Sequence, residues 1–411
     1  MSTDNSVSLI GKITTPLHKI FPGLHYRVWN RQRDQIVKMQ LPSLSHFAGP
    51  LADASLDPER DLHVIVIPHY GPDAPTWHVA GQNHFFEIYQ SLQEILGPER
   101  VTLLATDKSD PDFDYHERLL QLIIDTKATH VIGQIETDPN KSEPWSWDVP
   151  MTVLARNWDG VFIGVMWDWA YPWLSVRAKR LARINSRLLV AELCQPISGL
   201  TVKGRIEAGP MTMPLSRATT AAILDRIAGA EKVYDLTFIG ALYDYRVQLI
   251  DQLRTDGVNV AVNPHRPDVT ADYHESRANQ PSYLDYIYGL AQSQITINFS
   301  QAAGGPGEQY KIRIQEAALA QCLCLTDDRD GTRHFFEQDQ FGFFDEVGNL
   351  EQVVKVALAN PEELKQRQVA AQARAIELAG TDFWGRIEAA LTARGLQSLT
   401  GLAAPPEPNA G

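Results

Sequence analysis

The stretch Ser293 to Asp328, SQITINFSQAAGGPGEQYKIRIQEAALAQCLCLTDD, decides how this chain is read. Ile295 to Phe299 has the length and β-branched content of a buried strand, and Ala303-Gly304-Gly305-Pro306-Gly307 is a glycine-rich loop. A helical pattern follows, and Leu323 to Thr326 is a second apolar strand. Glycine has no Cβ to keep backbone amides away from a ligand. The unpaired N–H groups and positive dipole end of the next helix favour phosphate in the same space. Arg313 and Glu316 lie three apart and share a helical face, whereas Glu308, eight positions before Glu316, falls in the loop. A carboxylate for hydroxyls, a cation for anions and an amide-lined loop point to a nucleotide-sugar or similar phosphorylated ligand. A plain strand-to-helix connection with a solvated ion pair would use the same residue types, so the context has to decide.

Working outward, the pattern before this stretch is strand Leu236 to Ile239, Gly240, helix Tyr245 to Arg254, strand Val258 to Val262 and helix Tyr283 to Gln292. After it come helices over Leu350 to Leu358 and Pro361 to Leu378. An earlier alternation starts at His63 to Pro68, an apolar run of buried-strand length. It continues through helix Asn83 to Leu96, strand Val101 to Thr106, helix Tyr115 to Thr126 and strand His130 to Ile135. Helix Val149 to Asn157, strand Val161 to Met166, helix Pro172 to Asn185 and strand Arg187 to Ala191 complete it. Strands alternating with helices mean βαβ units and parallel sheets. The chain therefore divides into an extension over 1–60, a first Rossmann-like domain over 61–212, a second over 213–395 and a disordered tail over 396–411. Residues 193–233, broken by Pro196, Gly199, Gly204, Gly209, Pro210 and Pro214, contain the linker. Tyr26 to Lys38 is cationic and reads as a strand or helix packed on the first domain.

With 411 residues, 44% of them hydrophobic and 21% charged, the composition is that of an ordinary globular protein of two domains. A formal net charge of −13 argues against nucleic acid as a partner and requires any anionic substrate to be met by local cations. No apolar run reaches the roughly 20 residues of a membrane span, and no secretory signal opens the chain, so a cytoplasmic location without a transmembrane segment is expected. Three cysteines, Cys194, Cys322 and Cys324, give no disulfide framework.

Two consecutive Rossmann-like halves with the phosphate-type loop in the second resemble a GT-B glycosyltransferase. Tyr283 to Leu378 is similar to the C-terminal domain of glycosyltransferase group 1 and spore-maturation CgeB-like proteins, through SQITINFS, the glycine-rich loop, KIRIQEAALAQCLCLTDD, HFFEQDQFGFF and the helix near NPEEL. The resemblance implies two α/β domains facing across a cleft. It also implies metal-independent transfer of a sugar from a nucleoside diphosphate donor to a glycan, lipid or protein acceptor. No cofactor is implied, the nucleoside diphosphate sugar being the donor substrate. Glu316 matches the glutamate that accepts from the ribose hydroxyls, and Glu308 with Glu316 fits the paired glutamates of the retaining type. Gln309-Tyr310 stand where that type has Gly-Phe, and Arg313 interrupts an apolar turn, so the stereochemical outcome is left open. Arg246, six residues after Gly240, matches the basic residue set against the donor diphosphate. The donor-binding set is thus Arg246, Gly304, Gly305, Glu308, Tyr310, Lys311, Arg313 and Glu316. A nucleotide-sugar 2-epimerase or a non-catalytic nucleotide-sugar binding protein would use the same fold.

The acceptor side is sought in the first domain. His69, at the end of the first strand where open α/β sheets hold ligands, is the first candidate base, with Asp73 behind it. Six of the nine tryptophans lie between Trp145 and Trp173. Trp167 and Trp169, in MWDWAYPW, offer flat faces to a sugar ring, and Asp168 between them is the rival base. No histidine or carboxylate spacing suits a metal site.

Overall fold

The computed structural model describes residues 22–57, 60–67, 83–104, 114–135, 146–167, 172–193, 208–240, 244–264, 282–300, 310–327, 331–344 and 349–403. Two five-stranded parallel sheets carry the fold. The first consists of β1 (Val64–Ile67), β2 (Val101–Leu103), β3 (His130–Gln134), β4 (Val161–Met166) and β5 (Leu188–Glu192), in the order β2-β1-β3-β4-β5. The second consists of β6 (Tyr234–Phe238), β7 (Val260–Val262), β8 (Ser293–Asn298), β9 (Leu323–Thr326) and β10 (Gly342–Phe343), in the order β10-β9-β8-β6-β7. Read from the other edge, the second order is the first one repeated. The strands β1, β4 and β5 are buried along their whole length, which is why they read as apolar runs rather than alternating ones.

Several helix limits follow from local chemistry. Asp114 caps the helix Tyr115–Thr126, its carboxylate accepting from His116 N at 2.9 Å and Glu117 N at 3.1 Å. Ser216 and Ser282 do the same for the helices Arg217–Ile227 and Tyr283–Ala291. The extension forms helices over Pro22–Gln40 and Ala48–Leu56, and Leu44, Phe47 and Leu51 join the core on one face of the first sheet. Arg180 ties the extension down by pairing with both Asp148 and Asp34.

Two sequence expectations are corrected. The helix read as ending at Leu378 runs over Pro361–Ala393. Gly380 and Gly385 suggest a stop, but Phe383, Trp384, Ile387 and Leu391 are all buried, and that burial outweighs the roughly 1 kcal/mol that each glycine costs a helix. Trp384 Nε1 donates to Ser91 Oγ at 3.1 Å, so this extra length lies against the first half. The tail is also ordered further than expected. Leu399 is buried, Glu388 accepts from Leu399 N at 2.9 Å and Thr400 N at 2.8 Å, and Gln397 O lies 3.1 Å from His130 Nε2.

The stretch 208–216, within the expected linker, is itself core. Ala208, Met211, Thr212, Met213, Leu215 and Ser216 are buried. Asp382 accepts from Thr212 N at 2.7 Å, Gln315 exchanges two 2.9 Å bonds with the Met213 backbone, and Glu87 accepts from Ser216 N at 2.8 Å. One apolar cluster runs from Val64, Ile88 and Leu92 of the first half to Tyr283, Ile314 and Trp384 of the second.

Candidate functional site

In a sheet of this order the crevice lies at the carboxyl ends of the first and third strands, where the chain reverses its direction of winding. In the second sheet these strands are β6 and β8. The chain leaves β6 through Ile239 and Gly240, the latter at φ +142°, a conformation that only glycine adopts without strain. Asn263 clips this turn, accepting from Gly240 N at 2.9 Å and donating to Gly240 O at 3.3 Å.

Two guanidinium groups lie near Phe238, the last residue of β6 before this turn. Arg246, in the helix Asp244–Thr255, is only 7% exposed, with Cζ 5.7 Å from the Phe238 ring centroid and 5.1 Å from that of Phe299. Arg313, in the helix Ile312–Leu319, has Cζ 6.0 Å from the same Phe238 ring. Its Nη2 would lie 3.0 Å from a Cβ built on Gly240, and its buried Nε has no hydrogen-bond partner among the described residues. Phe238 thus lies within about 6 Å of both cations, and Phe299, 6.1 Å from it, packs on Arg246. Two like charges sharing one ring repel, and an anion between them relieves that repulsion.

Glu316, one turn beyond Arg313, is 5% exposed. Tyr286 donates to its Oε2 at 2.6 Å, and Tyr283 stacks on Tyr286 with ring centroids 6.2 Å apart. Burial raises the Glu316 pKa, against the opposing effects of the Tyr286 hydrogen bond, the Arg313 charge and Tyr283. Its second oxygen, Oε1, makes no hydrogen bond among the described residues. At the end of β9, Asp327 is 8% exposed and holds the start of the glycine-rich loop, its Oδ2 accepting from Ser300 Oγ at 2.9 Å and Ser300 N at 3.2 Å.

Arg246, Arg313 and Glu316 are therefore brought to one end of the second sheet. Lys311 stands half-buried at the entry of the Arg313 helix. Tyr310, expected at the donor site, is fully buried against Phe335 at 4.6 Å and packs in the core. Gly304, Gly305 and Glu308, and in the first half His69, Asp73, Asp168 and Trp169, lie outside the described residues. Trp167 is half-buried against the shared apolar cluster. Trp147 and Trp158 belong to the core, each anchored by its indole N–H to a backbone carbonyl at 2.9 Å. Sequence reasoning missed Tyr286, Phe238, Phe299 and Asp327. Phe238 could have been found by asking what precedes the turn that Arg246 follows, whereas Phe299 comes to it only through the sheet.

Among the described residues no three His, Cys, Asp or Glu side chains are grouped as a metal site, and no helix is long and apolar enough to cross a membrane.

Comparison with known proteins bears on the fold. Residues 241–392 match a family model described as glycosyl transferase-like. No curated protein matches the sequence significantly. Sucrose-phosphate synthase from Thermosynechococcus elongatus is similar in structure, with a TM-score of 0.50 at 10% identity over 82% of this chain and 98% of that one. Anabaena HepE, solved with UDP and glucose, gives 0.46 at 10% identity over 77% and 95%. The chain has the GT-B fold, and its C-terminal half carries a glycosyl transferase-like domain.

Proposed function

We propose that the protein is a glycosyltransferase. Its C-terminal half binds a nucleoside diphosphate sugar, and its N-terminal half holds a glycan, lipid or protein acceptor. The observation that carries this reading is the convergence of Arg246 and Arg313 on the Phe238 ring beside the Gly240 turn. In the reaction the bond from the sugar's anomeric carbon to the diphosphate oxygen breaks, and that oxygen keeps the electron pair. The acceptor hydroxyl oxygen forms the new bond to that carbon and loses its proton to a base. The two guanidinium groups stabilise the charge developing on the departing diphosphate, the part a metal ion takes in other transferases. Glu316, with one oxygen taken by Tyr286, offers the other to the ribose hydroxyls.

Calorimetric titration with UDP, GDP and dTDP tests the site. One nucleotide is expected to bind, about 10- to 100-fold more weakly to Arg246→Ala, since a hydrogen bond to a charged group contributes about 1.5–3 kcal/mol. Glu316→Ala is expected to weaken it similarly. Wild-type affinity in both variants would overturn the assignment. Turnover unchanged by EDTA is expected of a metal-independent reaction.

A further inference from the structure

Glu192 closes β5 with a carboxyl group that has nothing to bind among the described residues. It is 0% exposed, and neither carboxyl oxygen has a hydrogen-bond partner there. Its backbone is held firmly: Glu192 N donates to Ala208 O at 2.9 Å, and Leu193 N to Met166 O at 3.0 Å. Gly209 packs so tightly against it that a Cβ there would lie 2.4 Å from the Glu192 carbonyl oxygen. Alternation along the strand puts Glu192 on the side of Leu188 and Val190, away from the cluster that Ala191 and Leu193 share with the second half. Burying a polar group without a partner costs on the order of 1–3 kcal/mol. Natural chains tolerate such departures mainly where function requires them. The position also fits a functional role, because ligands of open α/β sheets lie at the carboxyl ends of the strands.

We propose that Glu192 is a binding contact for a sugar hydroxyl of the acceptor, an inference that rests on reading the N-terminal half as the acceptor side. Burial pushes its pKa well above the usual carboxylate range, so the group meets a ligand as a neutral acid with one O–H donor and acceptor capacity to spare. A sugar hydroxyl is also donor and acceptor at once, and answers both. An ammonium group or a metal ion would need the ionised form, which burial disfavours.

The test is calorimetric titration of the full chain with D-glucose, D-galactose and D-mannose, alongside UDP, GDP and dTDP. Wild type is expected to bind at least one hexose. Glu192→Gln keeps a donor and an acceptor, so it should stay within about threefold of wild type, whereas Glu192→Leu should bind at least about tenfold more weakly. Nucleotide affinity, which should be equal in all three, shows that the variants are folded. Should the leucine variant not fold, Glu192→Asp, which withdraws the carboxyl by one methylene, is expected to show the same loss. Hexose affinity equal to wild type in the leucine or aspartate variant, or no hexose binding by wild type, would overturn the inference. Absence of nucleotide binding would instead overturn the donor-site reading, and the two arms are read separately.

Discussion

The two halves of this protein share a strand order and differ in what they set at the ends of their strands. The second sheet ends in cations: Arg246 and Arg313 over Phe238, with Glu316 held by Tyr286. The first ends in a buried acid, Glu192, without a hydrogen-bond partner among the described residues. One topology thus brings two cations to one ring in one half and buries an acid with a raised pKa in the other. On the proposed reading, a chain of net charge −13 has to gather its cations locally to meet a diphosphate. Arg246 and Arg313 reach the same Phe238 ring from two different helices.

The halves do not stand as separate units, and the largest expected effect tests that. Trp384 lies in the helix Pro361–Ala393 and bonds to Ser91 of the first half. Trp384→Ala should destabilise the protein by about 3–5 kcal/mol, as for other fully buried aromatic residues. Urea denaturation followed by tryptophan fluorescence and circular dichroism should show both signals moving together to lower urea. A variant in which only one of two separate transitions moves would mean that the halves fold independently.

The next effect is confined to the second half. Gly240→Ala places a Cβ at φ +142° and 3.0 Å from Arg313 Nη2. The strained backbone should cost about 1–3 kcal/mol of stability, and displacement of the guanidinium should weaken nucleotide binding about tenfold. Gly209, at φ +130° in the first half, also admits no Cβ, but substitution there should leave nucleotide affinity unchanged if the halves are specialised as described. Equal losses from Gly240→Ala and Gly209→Ala, measured by calorimetry, would erase the distinction between them.

A smaller effect separates binding from positioning. Tyr286→Phe removes the 2.6 Å bond to Glu316 while keeping the ring. It should weaken nucleotide binding by a few-fold and lose about 1 kcal/mol of stability, the usual contribution of one hydrogen bond. It should also make the bound state pH-dependent, because Glu316 would then be held ionised by Arg313 and Tyr283 alone against burial. A pH profile of affinity identical to wild type would mean that Tyr286 serves packing only.

Much of this architecture is legible in the sequence. Asn83–Leu96, Tyr115–Thr126, Val161–Met166 and Leu323–Thr326 have the limits read from the sequence, because periodicity and caps such as Asp114 are local signals. Arg246, Arg313 and Glu316 were named from spacing and resemblance. That they meet depends on Phe238 and Phe299, which lie on strands paired through the sheet and far apart in the chain. No local pattern announces such a contact, nor the 30-residue separation between Tyr286 and Glu316. Glu192 was missed because the strand was read one residue short, at Ala191. An acid after an apolar run looks like the first residue of a solvated loop. Only the carbonyl of Ala208 and the close approach of Gly209 show that the chain stays buried there.

The finest contrast between the halves is in how their buried acids respond to pH. Below about pH 4.5, the ordinary value for a glutamate, Glu192 holds its proton in both folded and unfolded chains and contributes no pH dependence. Above that value the unfolded chain releases the proton while burial makes the folded chain keep it. Folding then takes up a proton, and stability falls as pH rises toward the folded pKa, at up to about 1.4 kcal/mol per pH unit. Glu192→Gln removes this slope. Its stability should match wild type near pH 4 and exceed it increasingly toward neutral pH, measured by urea denaturation across pH 4–8. Glu316→Gln should show a weaker trend of the same sign, because Tyr286 and Arg313 already favour its ionised form and offset part of the burial. A Glu192→Gln advantage that is constant across pH would mean that the folded chain holds Glu192 as an ion. The two halves would then share the same electrostatics as well as the same topology.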